Sequence, residues 1–166
     1  MRSFKLCIWL AGILFLQYFV SCESAQTQQG PTGRVVKIVD GDTYDILLQG
    51  EQVRVRMEGI DAPERGMDYY KVAKTYLGDL CMGQQIRLEI KEKDQYGRLI
   101  AKGYLEDGRE LCEEMVKAGL AWHFRKYSDD SMLANAEAAA RSARIGLWSL
   151  PEPVAPWDFR ANRRKR

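Results

Sequence analysis

Short apolar runs broken by tight turns dominate the first half of the chain, and helical spacing takes over later. Val35–Val39, Thr43–Leu48 and Val53–Met57 read as three strands, because β-branched and apolar residues alternate with polar ones between Asp-Gly and Gln-Gly-Glu reversals. Met67–Met82 then places Val72, Ala73, Tyr76, Leu77 and Leu80 at helical intervals, and Gly83 stops it. Gln84–Lys91 alternates again, as a half-exposed strand does, and Leu99–Leu105 follows the Gly-containing turn DQYGR. Leu111–Ala118 predicts a short helix ending at Gly119. The stretch ANAEAAARSARI predicts a third helix, with Asp129 and Asp130 before it, arginines near its end and Gly146 closing it. That charge order suits the helix dipole. Five short strands with one helix after the third and others following predict a mainly β, α+β fold: a small closed barrel carrying packed helices.

The two ends differ from this middle. Arg2 and Lys5 precede an almost unbroken apolar run from Leu6 to Val20, and small or polar residues follow. That order describes a secretory signal peptide over residues 1–24, and the run is shorter than the roughly 20 residues of a spanning helix. An uncleaved anchor is the alternative, and Cys22 is a candidate lipid anchor. Export predicts a secreted or periplasmic protein, in a lipidated or membrane-tethered form if Cys22 is used. Residues 25–33 read as a polar linker, 34–150 as the folded domain, and 151–166 as an extended Pro-containing basic tail. Without the leader two cysteines remain, Cys81 and Cys112, open to either a disulfide or two buried thiols. The single histidine, His123, has no cysteine or histidine near it in sequence, which disfavours zinc.

Charge changes the picture only when it is divided. The whole chain carries 25 basic and 23 acidic side chains, yet the last seven residues, RANRRKR, hold five basic groups and no acid. The body is therefore mildly acidic, which argues against a general attraction for phosphate through its bulk field. An anionic substrate would have to be held by a local arrangement, or by a metal that inverts the local sign.

The turns supply such an arrangement. VVKIVDGDTYDILLQGEQVRVRMEGIDAPE, residues 35–64, gathers acids and arginines around chain reversals on a sheet, where functional groups tend to sit. Asp42 and Asp61 are hard oxygen donors suited to calcium or magnesium, with the Ala62 carbonyl able to help. Each is also an ordinary turn residue before or near Gly and Pro. Arg56 and Arg98 offer planar guanidinium groups that match phosphate oxygens, and Glu64 can take a proton from water. The plainer alternative is surface ion pairing among them.

VVKIVDGDT, RMEGIDAPE, DQYGR, MVKAGLAW and a closing helix with GLW occur in that order over residues 34–148. In that order they resemble the staphylococcal nuclease family. The resemblance implies an OB-fold, a five-stranded barrel with three helices, and a monomeric secreted nuclease that uses Ca2+. It implies hydrolysis of DNA and RNA to 3′-phosphate ends. Carried onto this chain, Asp42, Asp61 and the Ala62 carbonyl become calcium ligands. Arg56 becomes the phosphate-binding arginine, Glu64 the general base, and Arg98 the group that stabilises the pentacoordinate state. Tyr96 and Tyr127 become candidate substrate contacts, each equally readable as structural.

Departures surround the set. The loop after Glu64 is shorter than in the type member, Gln95 stands where a lysine is found, and Arg125 replaces one base-stacking tyrosine. Trp122 and Trp148 read as packing residues and His123 as incidental. The rival reading is a non-catalytic OB-fold module that holds nucleic acid without cutting it.

Overall fold

The computed structural model describes residues 30–165; the leader, Cys22, most of the linker and Arg166 lie outside that range. Five strands close a barrel. They are β1 (Thr32–Asp40), β2 (Thr43–Leu48), β3 (Glu51–Met57), β5 (Gln85–Lys93) and β6 (Leu99–Tyr104), in the order β1-β2-β3-β6-β5. The expected barrel is therefore present, with β1 beginning three residues before and ending one residue after the stretch that the apolar pattern suggests.

One strand meets two neighbours to complete the closure. β1 pairs with β2 from Arg34 to Asp40 and with β5 from Thr32 to Arg34. Register shifts between Val35 and Lys37 and between Ile38 and Asp40 supply the bends this requires. β3 and β6 run parallel, with Arg56 opposite Ile100, and that pairing brings Arg56 close to the turn bearing Arg98. Inward residues of these strands, among them Tyr44, Ile46, Val55, Ile86 and Leu88, are fully buried. Burying such a side chain contributes about 1.5–3 kcal/mol.

Helix α1 (Tyr70–Cys81) packs its Ala73, Leu77 and Cys81 stripe on the core, whereas Val72 is exposed. The buried face thus keeps the expected Ala73 and Leu77, with Tyr76 and Leu80 partly buried beside them, and takes in Cys81 rather than Val72. Ala73 sits against the β1–β2 turn: a Cβ on Gly41 would stand 2.9 Å from the Ala73 Cβ and 3.0 Å from the Ala62 Cβ. Only glycine fits there without displacing a neighbour. α2 (Leu111–Lys117) packs on the barrel strand β6 and on α3 (Ser131–Ser142). α3 begins three residues before the alanine-rich stretch, because the Asp130 side chain caps it by accepting from the Met132 and Leu133 N–H groups.

Two short strands escaped the sequence pattern. β4 (Ile60–Asp61) and β7 (Trp122–His123) pair with each other outside the barrel. Two residues are too few to show a period.

The C-terminal segment departs most from expectation. Residues Pro156–Arg164 form a fourth helix, α4, where an extended tail was expected. Pro156 opens it with its φ already set for a helix, Asp158 lies in the first turn, and Arg163 and Arg164 lie in the last. Packing fixes it in place. Ala155 joins a second apolar cluster with Trp122, Ala140, Leu147 and Trp148, and the Trp157 ring stacks on Phe124 at 5.0 Å with planes 8° apart. Trp122 and Trp148 meet edge-on at 5.2 Å, as packing residues should. Cys81 and Cys112 are both free and buried, and burial pushes the Cys81 thiol up to about 12. His123 is buried with Nε2 3.2 Å from the Ser128 hydroxyl.

Candidate active site

One cleft of about 860 Å³ opens beside the end of the barrel where the β1–β2 turn, the segment after β4, the β5–β6 turn and α4 converge. Every residue expected from sequence lines it: Asp42, Arg56, Asp61, Ala62, Glu64, Tyr96, Arg98 and Tyr127. Residues as far as 85 positions apart in sequence, Asp42 and Tyr127, thus share a single wall.

Asp42 is held by its own turn and by the neighbouring segment. The Thr43 hydroxyl donates to Oδ1 at 2.9 Å, and the Ala62 N–H donates to Oδ2 at 2.7 Å. The Met57 N–H also donates to the Asp42 carbonyl at 2.9 Å. Asp61 is fixed through its backbone, since β4 pairs it with Trp122. Both carboxylates are almost fully buried. Burial pushes the Asp61 carboxyl above its usual range, against the opposing pull of Arg160 and Arg56; the nearby Asp42 charge pushes the same way as burial.

Arg56 reaches both acids from β3. Its Nη2 lies 3.0 Å from Asp61 Oδ1 and 3.3 Å from Asp42 Oδ2, while Nη1 donates to the Met57 carbonyl at 3.0 Å. A guanidinium anchored on three sides is preorganised, so little entropy is lost when it takes a further acceptor.

Arg98 is organised by its own turn. Asp94 Oδ1 accepts from the Tyr96 and Arg98 N–H groups, both at 2.9 Å, and Oδ2 accepts from Arg98 Nε at 2.7 Å. Gly97, at φ 81°, takes the left-handed conformation that closes this turn. Burial would raise the Asp94 carboxyl, but the hydrogen bonds from Arg98 and Tyr96 outweigh it and hold the group below its usual range. With Nε occupied, the two terminal nitrogens of Arg98 carry no partner among the hydrogen bonds of the described residues. Tyr96 and Tyr127 are largely exposed at the rim. Arg98 sits 5.6 Å from the Tyr96 ring centre, and Tyr127 lies edge-on to Phe124 at 4.8 Å.

Glu64 follows Pro63 on the short segment before α1 and is partly exposed. Its partner is a residue that sequence reading missed. From α4, Arg160 Nη1 donates to Glu64 Oε1 at 2.7 Å and to Asp61 Oδ1 at 3.3 Å, and Nη2 donates to Asp61 Oδ2 at 2.7 Å. Arg163, one turn further on, lines the same cleft. The sequence did hold a signal for α4: proline, aromatics at Trp157 and Phe159, an acid early and basic residues late. The density of charge in RANRRKR masked it.

The donor set fits a hard divalent cation by chemistry. Two buried carboxylates and a backbone carbonyl are oxygen donors close enough for one acid to raise the other's affinity for protons. Among the described residues no group of three or more His, Cys, Asp or Glu side chains is arranged as a metal cluster. Such a sparse set matches a weak site that keeps waters, on the order of 10⁻⁴–10⁻³ M.

A family model for staphylococcal nuclease homologues matches residues 54–150. The chain belongs to the staphylococcal nuclease family. Relatives of this staphylococcal nuclease homologue agree. A protein of Escherichia coli O157:H7 named as an uncharacterized endonuclease is 37% identical over 128 residues, covering 77% of this chain and 84% of that one. A micrococcal nuclease of Shigella flexneri is 38% identical over 138 residues, covering 77% and 79%. A rice protein named as a probable staphylococcal-like nuclease is 39% identical over 121 residues, but these are only 36% of its length. The staphylococcal nuclease fold therefore stands on sequence, topology and barrel closure together.

Proposed function

We propose that this protein is an exported, calcium-dependent nuclease that hydrolyses phosphodiester bonds of DNA and RNA and leaves 3′-phosphate ends. The observation that carries the reading is the convergence of Asp42, Arg56, Asp61, Glu64 and Arg98 on one cleft. Four separate turns and strands supply them, and family membership gives the convergence its meaning. Export rests on the basic and apolar order of residues 1–24.

In this reading Asp42, Asp61 and the Ala62 carbonyl hold calcium, which when bound supplies Lewis-acid polarisation of a phosphate oxygen. The chain does the rest. Arg56, fixed by the Met57 carbonyl and two acids, binds the scissile phosphate. Glu64 orients water and takes its proton during in-line attack. Arg98, aimed by Asp94, places its free terminal nitrogens against the equatorial oxygens as charge accumulates there. Tyr96 and Tyr127 at the rim offer rings on which bases stack, each worth about 1–3 kcal/mol.

Analysis of the ends left on a labelled oligonucleotide tests the reaction type. Products bearing 3′-phosphate, resistant to 3′-extension until treated with phosphatase, fit the reading; 3′-hydroxyl products contradict it. A second reading, binding without cutting, draws support from Arg160, which engages both Asp61 and Glu64. Retention of an oligonucleotide with no cleavage at any calcium concentration would favour that module.

A further inference from the structure

Among the arginines that line the cleft, Arg56, Arg98 and Arg160 differ in what else holds them. Arg56 has the Met57 carbonyl, and Arg98 has Asp94 in its own turn. Among the described residues, the hydrogen bonds of the Arg160 side chain go to Asp61 and Glu64. Its two terminal nitrogens cover both oxygens of Asp61, and one of them also covers Glu64 Oε1 at 2.7 Å. The arginine does not arrive there by chance rotation of a free tail. The Trp157 stack on Phe124 and the buried Ala155 fix the helix that carries it.

We infer that Arg160 competes with the divalent cation for the Asp61 carboxylate, so that α4 sets the cation concentration at which the site loads. This rests on the calcium reading proposed above. A hard cation needs carboxylate oxygens at about 2.3–2.6 Å with little other positive charge on them. Asp61 Oδ2 is already held by a cationic N–H at 2.7 Å, and Oδ1 is shared between Arg160 and Arg56. Cation and guanidinium are like charges seeking the same lone pairs in a poorly solvated pocket, where Asp61 is only 2% exposed. Loading therefore requires Arg160 to release Asp61. The same movement frees Glu64, because Arg160 Nη1 is shared between the two acids. Metal loading and exposure of the general base are in this way one event. The carboxylates in turn hold the Arg160 proton more tightly than in a free arginine, Asp61 foremost, so the group stays cationic throughout.

The test is calorimetric titration of calcium into the purified protein at fixed ionic strength, without nucleic acid. Arg160→Gln should bind calcium at least tenfold more tightly than the parent, which is about 1.4 kcal/mol. Arg164→Gln, the same charge change on the same helix with no ion pair to Asp61 or Glu64, should stay within twofold of the parent. Asp61→Asn should lose binding, which places the measured ion at this site. Trp157→Ala, which removes the stack on Phe124, should tighten binding as well, and it covers the case in which Arg160→Gln fails to fold. Equal or weaker binding by Arg160→Gln, with the parent binding normally, overturns the competition. Equal tightening by Arg164→Gln also overturns it, because the effect would then be general charge. Absence of calcium binding in parent and variants alike overturns the calcium reading itself.

Discussion

Replacing Arg98 by alanine should slow cleavage by two to three orders of magnitude and leave the fold intact. The side chain begins at the mouth of the β5–β6 turn and is about one-third exposed, so its removal opens no core cavity. What it removes is a charged donor preaimed at the place where negative charge accumulates. Losing one such donor raises a barrier by about 2.7–4 kcal/mol, which corresponds to roughly 100- to 1,000-fold in rate. The aim itself comes from Asp94, through the 2.7 Å bond to Nε and two backbone N–H contacts. A hydrogen bond to a charged group is worth about 1.5–3 kcal/mol. Exposure of Arg98 to water lowers this to about 1 kcal/mol of positioning. Asp94→Ala should therefore cost only about five- to tenfold, and mainly in kcat. A dequenching assay on a doubly labelled single-stranded oligonucleotide, with thermal melting beside it, reads both effects. A folded Arg98→Ala variant cutting within fivefold of the parent would remove Arg98 from the mechanism. An Asp94→Ala variant as slow as Arg98→Ala would show that the turn, rather than the guanidinium, carries the effect.

Other consequences concern the scaffold beneath the site. Gly41→Ala should destabilise the protein by about 1–3 kcal/mol and weaken calcium binding, because its Cβ would press on Ala73 and Ala62 and shift the Asp42 turn; denaturant melts indistinguishable from the parent would refute the close fit. Asp130→Ala should cost about 1–3 kcal/mol, since it removes the α3 cap and the 2.6 Å partner of Lys102. Lys102 holds the Asp130 carboxyl below its usual range. The native state then binds fewer protons there than the unfolded state, so this stability is complete above about pH 4 and is lost as pH falls through the native value. The gap between parent and variant should narrow on acidification; a gap that stays constant down to pH 2 would contradict the pairing.

How far sequence led depended on how much of each element's order is local. The barrel was legible because β-branched runs alternate between turns whose residues are specific, as in Asp40-Gly41 and Gln49-Gly50. The cleft residues were legible because the acids and arginines lie within motifs in a fixed order, and all of them meet in the fold. β4 and β7 were not legible, since two-residue strands exist only through each other. On α1 the spacing placed Ala73 and Leu77 correctly in the core and erred only at Val72, because both Val72 and Ala73 are apolar and Ala73 is the one packed beside Gly41. α4 was misread for a different reason. A run of like charge repels itself in isolation, and its neutralising acids, Asp61 and Glu64, lie nearly a hundred residues away. No local pattern records that pairing. Helicity there comes from tertiary docking of Trp157 and Ala155 rather than from intrinsic propensity.

The central claim is that this cleft hydrolyses nucleic acid by metal and base together. Digestion of single-stranded DNA by the purified protein, with calcium or with chelator, and with Glu64→Gln in parallel, tests it most directly. The account predicts cutting that requires calcium and falls at least a hundredfold in Glu64→Gln, by the rate factor of about 10²–10⁴ ascribed to a general base. Cutting that persists in chelator, or at the parent rate in a folded Glu64→Gln protein, would contradict it.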